Sequence, residues 1–466
     1  MKKSIFFNDI LIFICEGQFF PVIFQLLYII HQPSSMPFLY SQTFKFQDLN
    51  LSNQLLPWLR DYRHFCLFDS NGFTLQNQLT GKETIELMLA VGDRKICQRQ
   101  ENAWEQLKVF LNENKGKWIF GHLTYDLKNE IENLTSSHPD HIAFPSISFF
   151  VPEILITIRG DLLKIESNLE SPEKIYYELI NQKISQSELP QIEFKNRISK
   201  EDYLDKAQKI LDHIQFGDVY ELNFCMEFFA ENISIEPNQL YNALNRFSPA
   251  PFSCFYRNEN QYILSASPER FLSKKNDKVF SQPIKGTIRR GKTDEDDSVL
   301  IQKLKNDEKE RAENIMIVDL VRNDLSRSCK PGTVKVDELC GVYTFPHVHQ
   351  MISTISGKLK NEIHIVDIIK NAFPMGSMTG APKVRAMELI ELYEETKRGL
   401  YSGTVGYITP DGDFDFNVVI RSLQYNTSSN YLSVITGSAI TALSNPENEY
   451  EECMLKAKAF MELTKS

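Results

Sequence analysis

The stretches SPERFL at residues 267–272 and QPIKGT at residues 282–287 carry most of what this chain reveals about its fold and chemistry. They place one carboxylate, Glu269, sixteen residues before one primary amine, Lys285. A glycine directly after the lysine lets the backbone approach a ligand closely, which suits an amine that acts as a nucleophile. The pair is therefore a candidate for paired acid and nucleophile chemistry.

Each of these side chains adjoins a β-like run, at residues 261–266 and 279–284 respectively. A hairpin of the two runs could bring Glu269 and Lys285 to one surface. On these residues alone, an exposed Lys–Glu pair on a hairpin is the plainer interpretation, and the rest of the chain must decide between the two.

Composition describes a large globular protein of one two-lobed unit or two domains, with 466 residues, 42% hydrophobic and 24% charged. The formal charge of −10 argues against nucleic acid or an anionic membrane as the main partner. An anionic substrate would then need a local cluster of cations. Eight cysteines without a CxxC pair are typical of reduced thiols in the cytoplasm rather than of a disulfide frame or a zinc site.

The first 35 residues differ from the rest of the chain. Residues 6–30 are apolar, but polar residues interrupt them too often for a membrane span, and they lack the cleavage site of a signal peptide. We expect the fold to start near Met36 and residues 1–35 to be an over-extended start, with a tethering segment as the alternative.

Patterning over the second half predicts an α+β fold. Helices are predicted from Ser199 to Phe216, from Thr293 to near Ser328, and after Asn445, an N-cap that precedes a proline. Short turns between many strands indicate antiparallel sheet with helices packed outside. Strands are predicted at residues 220–229, 252–256, 262–266, 280–284, 349–356, 403–408, 417–424 and 431–436.

Two helices carry glutamates at the same spacing: Glu310 and Glu313 in one, Glu449 and Glu452 in the other. Residues three apart share a helix face. If the two helices meet, four carboxylates converge and need a cation between them, and all-oxygen ligation suits Mg²⁺. A solvated helix face is the alternative, since this spacing is common.

Three weaker signals stay open on the residues alone. The glycine-rich segment at residues 374–383 could hold an anion through backbone N–H groups and Ser377, or could simply start a helix. Arg421, within an apolar run taken as a strand, needs either a core carboxylate or an anionic ligand. His349 is a lone histidine, and such a residue is more often structural.

These segments together resemble the chorismate-utilising enzymes, a family that includes component I of aminodeoxychorismate synthase and component I of anthranilate synthase. Their order and spacing cover nearly all of residues 200–466, and weaker similarity lies in FCLFDSNG (65–72) and IFGHLTYDL (119–127). The matching segments are SPERFL (267–272), QPIKGTIRRG (282–291), ERAENIMIVDLVRNDLSR (310–327), GSMTGAPKVRAMELI (376–390), RGLYSGTVGYI (398–408), NVVIRS (417–422), TGSAI (436–440) and EYEECMLKAKAF (449–460).

The resemblance implies two facing, mostly antiparallel sheets with helices outside. It implies an N-terminal subdomain at residues 36–160, a connecting region at 161–198 and a chorismate-binding catalytic domain at 199–466. Glu313 and Glu452 would bind Mg²⁺ directly, with Glu310 and Glu449 acting through water. Glu269 would be the acid. The substrate-binding residues would be Gly286, Thr287, His349, Ser377, Tyr401, Arg421, Gly437, Ser438 and Lys456.

Lys285 separates the two relatives, because anthranilate synthases carry alanine there. The resemblance therefore implies an aminodeoxychorismate synthase component I, in which the lysine amine attacks carbon 2 of chorismate and ammonia later enters at carbon 4. We expect a glutamine amidotransferase subunit to supply the ammonia, and the product to lead to p-aminobenzoate and folate. Burial would lower the lysine pKa and nearby carboxylates would raise it; the sequence leaves that balance open.

Two positions depart from the family pattern: Glu221 stands where glutamine is usual, and Ala439 where a second glycine is common. Asn223, by contrast, is similar to the aminodeoxychorismate side of the family. The alternatives are an anthranilate synthase, an isochorismate-type activity that adds water, or a non-catalytic ligand-binding homologue. Retention of Glu269, Lys285 and the four glutamates argues against the last.

Overall fold

The computed structural model describes residues 6–7, 10–11, 38–46, 51–73, 85–183 and 189–463. The chain divides into two units, Met1–Pro37 and Phe38–Ser466. In the first unit, β1 (Phe6–Phe7) pairs antiparallel with β2 (Ile10–Leu11). The prediction that residues 1–35 lie outside the fold falls mostly beyond the described residues and stays a prediction.

The strands of the second unit are β3 (Tyr40–Lys45), β4 (His64–Asp69), β5 (Leu87–Val91), β6 (Lys95–Arg99), β7 (Ile119–Leu123), β8 (Ile147–Val151), β9 (Ile154–Arg159), β10 (Leu162–Ser167), β11 (Lys195–Asn196), β12 (Glu221–Ala230), β13 (Phe252–Asn258), β14 (Gln261–Ser267), β15 (Arg270–Lys275), β16 (Lys278–Gln282), β17 (Ile284–Arg289), β18 (Lys335–Thr344), β19 (Val348–Lys358), β20 (Gly380–Ala381), β21 (Thr404–Ile408), β22 (Phe414–Asn417), β23 (Ser422–Asn426) and β24 (Tyr431–Thr441).

Its α-helices are α1 (Leu51–Trp58), α2 (Ala103–Glu113), α3 (Pro172–Ile180), α4 (Lys200–Phe216), α5 (Pro237–Phe247), α6 (Asp294–Asn306), α7 (Glu308–Ser328), α8 (Ile365–Ala372), α9 (Lys383–Tyr393) and α10 (Pro446–Glu462). Short 3₁₀ turns lie at Leu59–Asp61, Tyr125–Glu130 and Gly376–Met378.

The strands form two large antiparallel sheets, as predicted. The first has 12 strands in the order β11-β12-β24-β23-β14-β13-β4-β5-β9-β10-β3, with β20 on β12. The second has 10 strands in the order β17-β19-β16-β15-β22-β21-β7-β8-β6, with β18 on β19. Within each sheet, strands from the predicted N-terminal subdomain pair with strands from the predicted catalytic domain, β4 with β13 and β7 with β21.

Three apolar clusters hold these layers together. One draws on strands of both sheets and includes Cys66, Phe120 and Tyr256. The others join the first sheet to helices such as α4 and α10, and the second sheet to helices such as α2 and α7. Because β12 is covered on both faces, all its residues are buried, as expected of a strand inside a layered core. The predicted α+β fold with helices outside is therefore confirmed.

The region predicted as a connection, residues 161–198, contains β10 and α3. The subdomain boundaries stay a prediction. Among the described residues, no helix combines the length and the hydropathy needed to cross a bilayer. The cysteines in the described part of the chain are buried free thiols.

The helix predicted from Thr293 to near Ser328 is two helices, α6 and α7. The first starts where the long helix was predicted to start, and Thr293 caps it, since its side chain accepts from the Asp296 N–H. The break falls at Asp307, whose side chain accepts from the backbone N–H of Glu310 and so starts a new helix. The prediction was wrong because Asp307 reads as one more polar residue on a continuous helix.

Two predictions about strands were also wrong, for one reason: the chain changes sheets where a continuous strand was expected. The runs at residues 261–266 and 279–284 lie in different sheets and do not form a hairpin; β15 pairs with β16 instead. The run at residues 417–424 is divided between β22 in the second sheet and β23 in the first. Arg421 lies in the link, with φ at +48°.

The two links, Pro268–Glu269 and residues 418–421, lie side by side. Ser267 Oγ donates to the Val418 carbonyl at 2.6 Å, and the Val418 N–H donates to the Glu269 carbonyl at 3.0 Å. The Ala266 N–H donates to the Arg421 carbonyl at 3.0 Å. Glu269 and Arg421 are thereby fixed at neighbouring points between the two sheets.

Candidate functional site

A cavity of about 560 Å³ opens beside these two links. Its walls come from the links, from β12, β17 and β24, and from the helices α7 and α10. Most of the predicted site residues line it: Glu269, Lys285, Gly286, Thr287, Glu310, Glu313, Ser377, Tyr401, Arg421, Gly437, Glu449, Glu452 and Lys456.

Two predicted residues, His349 and Ser438, do not line this cavity. The fully buried His349 has its Nε2 3.0 Å from Asp297 Oδ1 and its Nδ1 2.9 Å from Thr344 Oγ1. Ser438 Oγ lies 3.2 Å from the Tyr203 hydroxyl, on the opposite face of β24 from Gly437, because neighbouring strand residues point to opposite faces. Both side chains have partners within the protein, and their predicted role in substrate binding stays a prediction.

Lys285 lies in a β-bulge of β17. Ile284 pairs with Ile352 and Thr287 with Gln350, so β17 has one extra residue. The bulge includes Gly286 with φ at +87°, a conformation that L side chains rarely adopt. The bulge turns the lysine toward the cavity.

The Lys285 ammonium lies 2.6 Å from Glu221 Oε1, a carboxylate that is only 1% exposed. Burial lowers the lysine pKa, but the charges of Glu221, Glu313 and Glu269 outweigh it and hold the pKa above its ordinary value. On the balance left open by the sequence, the carboxylates dominate and favour the protonated form of the amine.

Glu269 is 4% exposed at the first link between the sheets. Ser377 Oγ, from the glycine-rich turn, donates to Glu269 Oε1 at 2.7 Å. Burial raises the pKa of this carboxyl to about 7, against the opposing hydrogen bond of Ser377 and the charge of Lys285. Near neutral pH, Glu269 can therefore carry a proton and give it away.

Arg421 lines the cavity from the second link, where its φ of +48° turns the chain back into the first sheet. Among the described residues, no carboxylate lies within ion-pairing distance of its guanidinium, and burial lowers its pKa against the charge of Glu269. Of the two partners left open by the sequence, a core carboxylate is thus not found. An anionic ligand fits this arginine.

The four glutamates of α7 and α10 lie on one wall of the cavity, around Lys309. The Lys309 Nζ is 3.8 Å from Glu313 Oε1 and 3.6 Å from Glu449 Oε1. Burial lowers the pKa of Lys309, but the charges of all four glutamates raise it above the ordinary value. The predicted convergence is present, with a lysine as the cation.

This cluster is short of positive charge. Burial raises the pKa of Glu313 to about 7, and its Oε1, although buried, accepts no hydrogen bond. Burial also raises the pKa of Glu310, whereas Lys456 outweighs burial at Glu452 and lowers its pKa. As arranged here, the described residues contain no group of three or more His, Cys, Asp or Glu side chains ready to hold a metal.

The chemistry of the carboxylate cluster nevertheless fits a hard divalent cation. All its donors are oxygens, one of them is a buried orphan, and Mg²⁺ commonly takes only one or two carboxylates together with water and substrate.

On the β24 wall of the cavity, local packing accounts for the residues at positions 437 and 439. A Cβ on Gly437 would lie 2.5 Å from Cys225 Sγ, so close packing requires glycine. Ala439, where the family commonly has glycine, pairs with Asn223 in regular extended strand, so this position does not require the conformational freedom of glycine. Lys456 Nζ donates to the Gly437 carbonyl and to Glu452, both at 2.7 Å.

Sequence reasoning missed several polar residues that line the cavity or contact its lining, among them Lys309, Glu221 and Asn223. Lys309 adjoins Glu310 and was not considered. Glu221 and Asn223 were noted only as points of comparison with the family, although their spacing of two along a strand places both on one face. Asn223 lines the cavity, and Glu221 reaches it through Lys285.

Comparison with known proteins agrees with this geometry. A family model described as chorismate binding enzyme matches residues 63–462. An aminodeoxychorismate synthase component 1 from Escherichia coli (strain K12) is 35% identical over 352 residues, covering 74% of this chain and 75% of that one. The structure of anthranilate synthase component I from Streptococcus pneumoniae TIGR4 superposes with a TM-score of 0.70 and 25% identity, covering 95% and 97% of the two chains.

A probable aminodeoxychorismate synthase, chloroplastic, from Oryza sativa subsp. japonica is 44% identical over 264 residues, which are 56% of this chain and 29% of that one. The chain thus spans less than a third of the length of the plant relatives that it matches. Relatives of both names match, so the chemistry must be argued from the cavity itself.

The raised pKa of Glu269 predicts how stability depends on pH. The folded protein holds this proton more tightly than the unfolded chain, so the contribution of Glu269 is fully present below pH 4.5 and is lost as the pH rises to about 7. A shift of this size corresponds to about 3 kcal/mol at most. Replacing Glu269 by glutamine should therefore make the variant gain stability relative to wild type over this pH range, as measured by urea denaturation.

The control is Glu101→Gln, which changes an exposed carboxylate. Its difference from wild type should stay flat with pH. A flat difference for Glu269→Gln as well would show that Glu269 titrates at its ordinary pKa in the folded protein.

Proposed function

We propose, from the premise that this chain belongs to the chorismate binding enzyme family, that it converts chorismate and ammonia to 4-amino-4-deoxychorismate. The observation that carries the proposal is the presence of Lys285 and Glu269 on one cavity. A protonatable acid beside an amine is what removal of the chorismate hydroxyl at carbon 4 and attack at carbon 2 require. A cavity built only for binding needs neither.

The substrate is a dianion, and this acidic protein must hold it with local positive groups. Arg421 supplies a guanidinium without a carboxylate partner in the described structure, and Lys456 supplies an ammonium at the far wall. Both groups lie on the cavity, so the two carboxylates can be held while the ring lies between Lys285 and Glu269.

In the proposed reaction, the neutral Lys285 amine forms a bond to carbon 2 while the bond from carbon 4 to the hydroxyl oxygen breaks. Glu269 gives its proton to that oxygen, which leaves as water. Ammonia then bonds to carbon 4, and the bond from lysine to carbon 2 breaks, so the lysine departs as an amine. The new group at carbon 4 is first an ammonium, and its extra proton goes to Glu269.

Mg²⁺ would be held by Glu313 and Glu452, with Glu310 and Glu449 acting through water. When bound, it would neutralise the glutamate cluster and a substrate carboxylate. Lys309 would then give up its contacts with Glu313 and Glu449.

A glutamine amidotransferase subunit is proposed as the source of ammonia; the Escherichia coli relative is named component 1, which implies a second subunit. The buried free thiols favour a reducing compartment, and we propose the cytoplasm. Production of p-aminobenzoate for folate is the proposed biological role.

Product analysis tests the proposed reaction. Incubated with chorismate, Mg²⁺ and ammonium salts, the protein should form aminodeoxychorismate, detected by liquid chromatography with mass spectrometry. Lys285→Ala should reduce its formation by roughly 10²- to 10⁴-fold, the scale of losing a group that acts in the transition state. Without ammonia, a chorismate-derived mass should be trapped on the Lys285 peptide.

Lys292→Ala is the matched control, since this lysine is exposed beyond the end of the same strand. It should leave the rate unchanged. Formation of anthranilate by the intact protein, or an undiminished rate in Lys285→Ala, would refute the proposed reaction.

Arg421 yields a prediction about binding. Arg421→Met should weaken chorismate binding by roughly 10- to 100-fold, because a hydrogen bond between charged groups contributes about 1.5–3 kcal/mol. Isothermal titration calorimetry without ammonia measures this. The melting temperature should not fall, since no ion pair within the described structure is lost.

Arg94→Met, at an exposed position, should bind chorismate like wild type. Unchanged affinity in Arg421→Met would remove this residue from substrate binding. A large loss of stability would show that it has a structural partner.

The magnesium assignment predicts linked binding. Mg²⁺ should bind more tightly when chorismate is present than when it is absent, because each neutralises charge that opposes the other. Calorimetric titration with MgCl₂ measures both affinities, and Glu313→Gln should weaken both. Glu101→Gln serves as the control. Binding that is equally strong in Glu313→Gln would place the ion elsewhere.

A further inference from the structure

The contact between Glu221 and Lys285 joins the two sheets across the cavity. Glu221 starts β12 in the first sheet, and Lys285 lies in the bulge of β17 in the second. The Nζ–Oε1 distance is 2.6 Å, and Glu221 is the one carboxylate within ion-pairing distance of this ammonium among the described residues. The other oxygen, Glu221 Oε2, is buried and accepts no hydrogen bond.

This arrangement poses a chemical problem for a nucleophilic lysine. A protonated amine has no free electron pair, so Lys285 must lose a proton before it can bond to carbon. The proton needs an acceptor in contact with the nitrogen, because the ammonium is buried among cavity walls.

The other nearby carboxylates are poorly placed to accept it. Glu269 accepts from Ser377 and must be protonated to act as the acid in the proposed reaction. Glu313 lies beyond ion-pairing distance of the Lys285 nitrogen and belongs to the glutamate cluster around Lys309. Glu221 is in contact and has an unused acceptor oxygen.

We infer that Glu221 is the base that takes the ammonium proton of Lys285 before the amine attacks, and returns it when the lysine is released. The inference rests on the proposed function and deepens it. The pair Lys–NH₃⁺ and Glu–COO⁻ becomes Lys–NH₂ and Glu–COOH, with no net change of charge. The exchange therefore needs no co-reactant, and one carboxyl serves both halves of the cycle.

The second half of the reaction also accounts for the location of Glu221 beside Lys285. Attack leaves a secondary ammonium on the lysine, which departs as a neutral amine when ammonia enters at carbon 4. The proton held by Glu221 then goes back to the amine and restores the resting ion pair. Glu221 thus handles the lysine proton, and Glu269 handles the proton of the leaving hydroxyl.

Glu221→Gln tests this role, because the amide keeps the size of the side chain and its hydrogen-bonding ability but cannot take a proton. At pH 7.5, kcat for aminodeoxychorismate formation and the rate of adduct formation on Lys285 should both fall by roughly 10²-fold. The chorismate KM should change little.

The pH profile separates proton transfer from a structural role. In the variant, the amine must lose its proton to solvent, so the ratio of variant to wild-type kcat should rise by about tenfold per pH unit between pH 7 and pH 9. Glu269 titrates alike in both proteins and cancels from this ratio. Glu221→Asp, which keeps a carboxylate, should show a ratio that is constant with pH.

The matched control is Glu227→Gln on the same strand, a buried carboxylate that pairs with Arg197 outside the cavity. Its ratio to wild type should also be constant with pH. If Glu221→Gln does not fold, Glu221→Asp and the control still give the comparison, and a pH-dependent ratio in Glu221→Asp counts against the inference.

A Glu221→Gln kcat within about threefold of wild type, or a ratio that does not change with pH, would overturn the role of Glu221. In that case Lys285→Ala would still lack product, and the proposed function would stand. If wild type forms no aminodeoxychorismate, or Lys285→Ala forms it normally, the proposed function fails and the inference falls with it.

Discussion

The site depends on one backbone constraint: two segments pass from one sheet to the other at the same place and are hydrogen-bonded to each other. Ser267 and Val418 fix the crossing through the bonds of 2.6 and 3.0 Å described above. A strand that continued in its own sheet would bury Glu269 and Arg421 between layers. Because the chain turns there instead, an acid and an arginine reach a cavity while their backbone groups stay paired.

Charge balance follows from this placement. The protein carries a net charge of −10, yet under the proposed function its cavity must accept a dianion. The cations reach it from different elements: Lys285 from a bulge, Lys309 and Lys456 from two helices, and Arg421 from a crossing. Three of these four form ion pairs with nearby glutamates. Of the four, Arg421 alone has no carboxylate partner among the described residues, which is why the proposed function gives it a substrate carboxylate to bind.

Much of this could be predicted from the sequence, and each failure has an identifiable physical cause. Periodicity and caps gave α4, α10 and most strands, and the spacing of Glu310 with Glu313 placed both on one face. The crossing at Arg421 depends on neighbours distant in the chain, whereas the helix break at Asp307 is local and comes from a side chain that caps the Glu310 N–H. Local pattern cannot reveal that a strand changes sheets, because both halves stay apolar and buried. Glu221 was noticed as an unusual residue, but only the pairing across sheets shows what it touches.

The position of Lys285 joins these points into one argument. A buried amine on its own would lose its proton through desolvation, and an amine among carboxylates keeps it. Here the carboxylates prevail, so they stabilise the charged form of Lys285, which cannot act as a nucleophile. A substrate that brings two further negative charges would stabilise the ammonium still more, unless a cation binds together with it. Two changes would favour the neutral amine. One is neutralisation of the glutamate cluster, and the other is transfer of the lysine proton to a carboxylate already in contact with it. If Lys285 is the nucleophile, as proposed, the unusual glutamate at position 221 and the glutamate cluster belong to one electrostatic problem, since both determine when the amine loses its proton.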